Sequence, residues 1–237
     1  MNLPASTLLD LWETGVAHAP AARPAALLAV SSGESVDVTA RLPLGERDGR
    51  LLDWYGTLAG TRLEALTDCP QCGKPVEIEF DAADVRRPSA GNGTVRVEEE
   101  GWSMTWRPPD SLDFCHAAET GTAEAARRIL LERCLTTAGG AADEPPPAHL
   151  MTRLMDLAAA ADPQADVRLA LDCPACGAAW QAPFDIGAFL WTRLQAEALR
   201  LLGEVHELAA AYSWSEQEIL ALSPARRSTY LELARRA

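Results

Sequence analysis

The chain has 237 residues, 48% of them hydrophobic and 23% charged, and a formal net charge of −13. This composition suits one large globular domain or two small ones and argues against wholesale disorder, while the negative charge opposes general nucleic-acid binding and favours a basic protein partner. No apolar run approaches the roughly 18 residues of a membrane helix, the first residues lack a signal-peptide pattern, and in the cytoplasmic setting this implies, thiols stay reduced.

Along the chain, residues 6–14 predict a short helix, with Ser6 as its cap before Leu8, Leu9, Leu11 and Trp12. The alternation Val36, Val38, Ala40, Leu42 predicts a half-buried strand. A helix is expected over 44–59, with Leu51, Leu52, Tyr55 and Leu58 on one face and Gly60 ending it. TDCPQCGKPVEIEFD then reads as a knuckle followed by a strand. After a turn-rich break at 86–93, VRVEEEGWSMTW predicts a hairpin turning at Glu100-Gly101. A helix over 122–137 and a stiff linker over 139–149 lead to the helical MTRLMDLAAA and then to VRLALDCPACGAAW, a strand and a second knuckle. Residues 186–212 predict a long helix striped by Leu190, Leu194, Leu201, Val205 and Leu208. Ser215 with Glu218 forms a capping-box pattern, and Ser223-Pro224 opens a last helix.

The two knuckles belong to an internal repeat. CPQCGKPVEIEFD, from Cys69 to Asp81, and CPACGAAWQAPFD, from Cys173 to Asp185, align without gaps at an offset of 104 residues. They share C-P-x-C-G, an apolar residue (Val76, Trp180) and Phe-Asp (Phe80-Asp81, Phe184-Asp185). Proline fixes one φ angle and glycine permits a left-handed one, so the backbone curls and aims both sulfurs at one point. Each knuckle supplies two thiolates and tetrahedral zinc takes four, so Cys69, Cys72, Cys173 and Cys176 are expected to hold one structural zinc ion. The 100 residues between Cys72 and Cys173 far exceed the roughly 15–20 of an ordinary ribbon, which makes the intervening segment an insertion. A redox dithiol of thioredoxin type should open a helix after a buried strand, whereas both copies here run into extended sequence.

Other candidates point to structure or interfaces. Cys134 lies on the apolar stripe of its helix and reads as core; Cys115, beside His116, lacks a partner pair. No histidine sits in a nucleophile motif and no phosphate-binding glycine loop is present. Trp102 and Trp106 share a hairpin face and are candidate partner anchors as well as core residues. Arg226, Arg227 and Tyr230 on the last helix are candidates for docking a partner, the arginines also suiting a helix C-terminus.

Three stretches carry a resemblance to a known family: LPLGERDGRLLDWYGTLAGTRLEALTDCPQCGKPVEIEFD, with a G-x-R-D helix leading into the first knuckle; the ILLERCL helix; and FLWTRLQAEALRLLGEVHELAAAYSWSEQEILALSPARRSTYLELA. They resemble the zinc-knuckle proteins of contractile phage tails and related injection systems, akin to the T-even phage baseplate hub assembly factors. The resemblance implies zinc at the four cysteines, no catalytic residue, hub or spike proteins of a tail-like particle as partners, and a cytoplasmic protein or one incorporated into the particle.

The expected architecture is α+β: a split zinc ribbon with a hairpin-and-helix insertion and a C-terminal helical unit. Its divisions are an N-terminal helical and extended segment (1–60), the two ribbon halves (61–84 and 166–186), the insertion (85–165) and the helical unit (187–237). The expected role is non-enzymatic, as a baseplate component or hub assembly chaperone. A nucleic-acid-binding zinc ribbon, favoured by the C-terminal helices and their arginines, and a thiol oxidoreductase using one C-x-x-C are the alternatives.

Overall fold

The computed structural model describes residues 3–88, 93–139 and 145–236. Four helices lead the chain: α1 (Ala5–Val16), α2 (Arg23–Ser32), α3 (Val36–Ala40) and α4 (Leu44–Ala59). Strands β1 (Arg62–Asp68) and β2 (Pro75–Asp81) follow as a hairpin, then the short α5 (Ala82–Val85). Next come β3 (Val95–Glu99), β4 (Trp102–Trp106), α6 (Ser111–Ala118), α7 (Ala123–Cys134) and β5 (Leu135–Gly139), the strands forming an antiparallel sheet in the order β3-β4-β5. After α8 (Ala148–Ala161), β6 (Arg168–Asp172) and β7 (Ala179–Pro183) make a second isolated hairpin. Helices α9 (Ile186–Tyr212), α10 (Glu216–Leu220) and α11 (Pro224–Ala234) end the chain. The protein is therefore α+β, with small antiparallel sheets among its helices.

Helix α9 is the spine. Its 27 residues span about 40 Å at 1.5 Å per residue, and Ile186, Leu190, Leu194, Ala198, Leu201, Val205 and Leu208 bury one stripe. The first part of that stripe packs with Leu8 and Leu11 of α1, Leu27 and Leu28 of α2, and Leu51, Leu52 and Tyr55 of α4. The first and last segments of the chain thus share one core. The later part, Val205 and Leu208, packs with Ile219 of α10 and Leu231 of α11. Helices α1 and α9 cross so closely that a Cβ at Gly15 would lie 2.0 Å from the Trp191 ring, so only glycine fits.

The insertion has its own core, where Val97 and Met104 of the sheet meet Leu150 and Leu154 of α8. It is tied to the main core through the G-x-R-D stretch of α4. The Gly45 N–H donates to Asp162 at 3.1 Å, the Leu44 N–H to the Pro109 carbonyl at 3.1 Å, and the buried Arg47 to Ser111 Oγ at 2.8 Å. A Cβ at Gly45 would sit 1.8 Å from Asp162 Oδ1.

Several sequence expectations need correction. The strand expected from Val36 is helix α3: Ser35 caps it by accepting from the Val38 N–H, and the Thr39 hydroxyl donates to the Ala25 carbonyl of α2 at 2.8 Å. Val36 and Val38 stay exposed, so their alternation reflects no buried face. The helix expected to reach 137 stops at Cys134, because Leu135–Gly139 supplies the third strand against the open edge of β4. Helix α1 starts after Pro4 with no side-chain cap, so Ser6 lies inside it. Helices α2, α5 and α6 were not anticipated. The hairpin over Val95–Trp106, the end of α4 at Gly60, and the caps at Ser215 and Ser223 are as expected. Residues 89–92 of the expected break and 140–144 of the expected linker lie outside the described residues.

Candidate metal centre

Each knuckle is the tip of a hairpin. In the first, the Gly73 N–H donates to the Cys69 carbonyl and the Cys69 N–H to the Lys74 carbonyl, both at 2.9 Å. In the second, Gly177 donates to the Cys173 carbonyl at 2.9 Å and Cys173 to the Ala178 carbonyl at 2.8 Å. Gly73 and Gly177 sit at φ of 68° and 74°, in the left-handed region open to glycine without a Cβ clash. The hairpins are also in one register: Leu63 opposes Phe80 in the first, and its counterpart Val167 accepts from the Phe184 N–H in the second.

The repeat extends past the strands. Asp81 caps α5 by accepting from the Ala83 N–H, and Asp185 caps α9 by accepting from the Ala188 N–H. A shared Phe-Asp therefore ends each hairpin and opens the next helix, even though one helix has 4 residues and the other 27.

The hairpins bring their tips together. Cys69 Sγ lies 3.7 Å from Cys176 Sγ, and Cys72 Sγ lies 3.7 Å from Cys173 Sγ. All four sulfurs lie within 4.8 Å of one another. A disulfide requires about 2.05 Å, and all six cysteines are free. The edge of a tetrahedron of sulfurs about 2.3 Å from a central zinc is roughly 3.8 Å, so this donor set fits one tetrahedral thiolate-bound ion. Cys69 and Cys173, each first in its knuckle, are buried with Val76, while Cys72 and Cys176 are exposed. Trp180, the counterpart of Val76, packs against the same cluster.

The protonation of the cluster points the same way. The N–H of Cys176 bonds to the Cys173 sulfur and, with a smaller contribution from the Ala175 N–H, lowers its thiol to about 7 against the effect of burial. The Ala178 N–H favours a Cys176 thiolate, but burial and the contacts with Cys173, Cys72 and Cys69 push that thiol up to about 12. Beside these backbone and burial effects, the contacts among the sulfurs lower Cys173 and raise Cys176, since among adjacent sulfurs the first charge formed opposes the next. A cation among them removes that opposition.

The remaining cysteines are built into the fold. Cys134 is buried, and burial followed by the Asp113 carboxylate pushes its thiol up to about 12. It donates to Asp113 Oδ2 at 3.5 Å. Asp113 is the centre of a network that the sequence did not reveal. Its fully buried carboxylate accepts from Arg107 Nη1 and Nη2 at 2.6 and 2.9 Å. It also accepts from Arg133 Nε at 2.7 Å and the Asp110 N–H at 3.0 Å. Burial works to raise its pKa, but the arginines and the N–H hold it well below the usual carboxylate range. The local signal for it is D-S-L-D, a reciprocal cap that opens α6. The arginines arrive from β4's end and from α7.

The residues expected to anchor a partner divide. Trp102 and Trp106 pack against the Val97–Met104–Leu150–Leu154 core and are half-buried. Arg227 is only 5% exposed: its guanidinium donates to Glu204 at 3.0 Å and to the Leu222 carbonyl at 2.7 Å, which turns it away from any partner. Tyr230 is half-buried, edge-on to Trp214 at 4.9 Å. Arg226 alone of this set is exposed.

Protein-family models, curated proteins and solved structures were all compared with the chain, and none matches. Among the described residues, no helix is long and apolar enough to cross a membrane.

Proposed function

We propose that Cys69, Cys72, Cys173 and Cys176 hold one structural zinc ion that joins two half-ribbons into a split zinc ribbon, in a non-enzymatic protein that assembles by protein–protein contacts. The observation that carries this reading is the convergence of two matched knuckles, with cross-knuckle sulfurs 3.7 Å apart. Four cysteine ligands leave no open coordination position for water or substrate, which supports a structural role. Zinc supplies a tetrahedral link between thiolates and no redox chemistry. The chain's part is to present the sulfurs: the hairpins aim them, and Asp185 and α9 carry the second hairpin onto the main core. Closing the sulfur cluster fixes both ends of the intervening segment, which otherwise adds loop entropy to the unfolded chain.

The assembly setting follows from the sequence resemblance given above. The G-x-R-D helix, the ILLERCL helix and the C-terminal W-S-E-x-E-I-L-A-L segment support a place in building the baseplate hub of a contractile phage tail or related injection system, with hub or spike proteins as partners. Plasma mass spectrometry of the purified protein should find about one zinc per chain. Separately, the protein tagged at its native locus should sediment with sheathed tail-like particles or with light hub complexes. Absence from both would remove the baseplate reading while leaving the zinc reading intact.

A further inference from the structure

Three arginines converge where the α3–α4 connection, the end of β4 and the end of α7 meet. The bond from the Leu44 N–H to the Pro109 carbonyl holds the α3–α4 connection against the segment that follows β4. The Arg107 N–H donates to the Cys134 carbonyl at 3.0 Å, which sets the end of β4 beside the end of α7. Arg41, Arg107 and Arg133 thereby line one depression of about 410 Å³, walled by Pro43, Pro108 and Leu112.

The fold uses only part of these guanidinium groups. Arg107 Nη1 and Nη2 and Arg133 Nε hold the Asp113 carboxylate. Among the described residues, Arg107 Nε and both Nη atoms of Arg133 donate no hydrogen bond. The exposed Arg41 has neither a side-chain hydrogen bond nor an ion pair among those residues. The side chains of Arg107 and Arg133 stay 42% and 37% exposed, so their unused donors face water.

The local charge is positive on an acidic protein. Among the described residues, Asp110 supplies the one carboxylate that lines the depression, and its Oδ1 is held by the Asp113 N–H at 2.9 Å. Asp113 itself is fully buried. Three arginines against these two carboxylates leave an excess of one positive charge, on a chain whose net charge is −13. At about 0.1 M salt, exposed charges more than roughly 10 Å away are largely screened. The excess within the depression, and not the net charge, therefore decides what binds there.

We propose that this depression binds a phosphate group, as the free ion or as the terminal group of a small phosphate ester. Guanidinium groups recognise oxyanions through paired, charge-assisted N–H donors. Arginines from three chain segments suit a tetrahedral anion, whose oxygens point several ways, better than a carboxylate, whose two oxygens share one plane. Asp113 fixes two of the guanidinium groups in advance, which lowers the cost of ordering them around a ligand. Arg41 is the member of the set that the fold does not use. The inference is independent of the zinc reading and of the assembly setting.

The test titrates the full, isotope-labelled chain with sodium phosphate and, separately, with glycerol phosphate at constant ionic strength, following the arginine side-chain N–H resonances by NMR. The Arg41 and Arg107 resonances should shift saturably, with a dissociation constant of about 1–5 mM. Arg41→Gln replaces an exposed side chain, so its melting curve should match the parent's, and it should bind at least about fivefold more weakly. Arg226→Gln removes an equal charge from another exposed arginine outside the depression and should stay within about twofold of the parent. A response to phosphate alone identifies the free ion, and a response to the ester identifies a terminal phosphate group; either upholds the proposal. It is overturned if neither compound gives a saturable shift by about 20 mM, or if acetate binds as tightly as phosphate. It is also overturned if Arg41→Gln binds as well as the parent, or if Arg226→Gln weakens binding as much as Arg41→Gln does.

Discussion

The ring of Phe80 meets the ring of Phe184 edge-on, with centroids 5.1 Å apart and planes at 86°. These residues occupy the same place in the two copies of the repeat, so the repeat packs against itself at the base of the hairpins as well as at the sulfur tips. Phe184 also leans on Phe189 of α9 at 5.8 Å, and Phe189 on Tyr55 of α4 at 5.4 Å. An aromatic chain thus connects the cysteine-bearing hairpins to the helical core.

Truncating either end of that contact should destabilise the protein. We expect Phe80→Ala and Phe184→Ala each to cost about 2–3 kcal/mol, below the range for fully buried rings because both are half-buried. The double variant should reveal a coupling of roughly 0.5–1.5 kcal/mol. Urea denaturation of the four proteins measures this, and strict additivity would show that the rings do not interact.

Loss of the proposed zinc should loosen the same region. Cys173→Ser should lower zinc content well below one per chain, and a chelator acting on the parent protein should lower the melting temperature by about 10 °C or more. Cys134→Ser should leave zinc content unchanged, since Cys134 points at Asp113. An unchanged melting curve after chelation would rule out a structural ion.

The Asp113 network should dominate the stability of the insertion. Asp113→Ala is expected to cost about 3 kcal/mol, at the low end for a buried pair because Arg107 and Arg133 keep access to water. Its depressed carboxyl fixes the sign with pH. The stabilisation is complete above the unfolded value near 4 and is lost as pH falls further toward the folded one. Hydrogen exchange in α6 and α7 should report the loss locally; protection equal to the parent's would contradict it.

Asp48 should act with the opposite sign. Burial raises its carboxyl to about 6, with Arg47 working against the shift and Asp185 and Asp162 adding to it. Between about pH 4 and 6 the folded state keeps a proton that the unfolded chain has released, so stability falls as pH rises through that window, by up to about 3 kcal/mol. Asp48→Asn should flatten the slope. Denaturation midpoints at pH 4, 5, 6 and 7 decide it, and parallel slopes in the two proteins would count against Asp48.

Gly15→Ala should also destabilise, despite alanine's better helix propensity, because its Cβ would fall 2.0 Å from the Trp191 ring. Overpacking of this kind costs about 1–3 kcal/mol, against roughly 0.5–1 kcal/mol gained in the helix. A melting temperature above the parent's would mean that Trp191 moves aside freely.

What the sequence determined by itself is the chemistry that neighbouring residues carry. The C-P-x-C-G turns, the capping pairs at Ser215 and Ser223, the stripe of α9 and the Glu100-Gly101 turn are set within a few residues, where backbone sterics and helical periodicity act directly. What the tertiary structure decided depends on partners far along the chain. Val36–Ala40 became a helix because Thr39 bonds to Ala25 of α2, and Leu135–Gly139 became a strand because β4 offered an open edge. Arg227 turned inward because Glu204 of α9 lies beside it. Asp113 acquired its arginines from two other elements, and the two knuckles met across 100 residues of chain. Local propensities differ by less than about 1 kcal/mol per residue, so a buried ion pair or a completed strand edge outweighs them once folding brings the partners together.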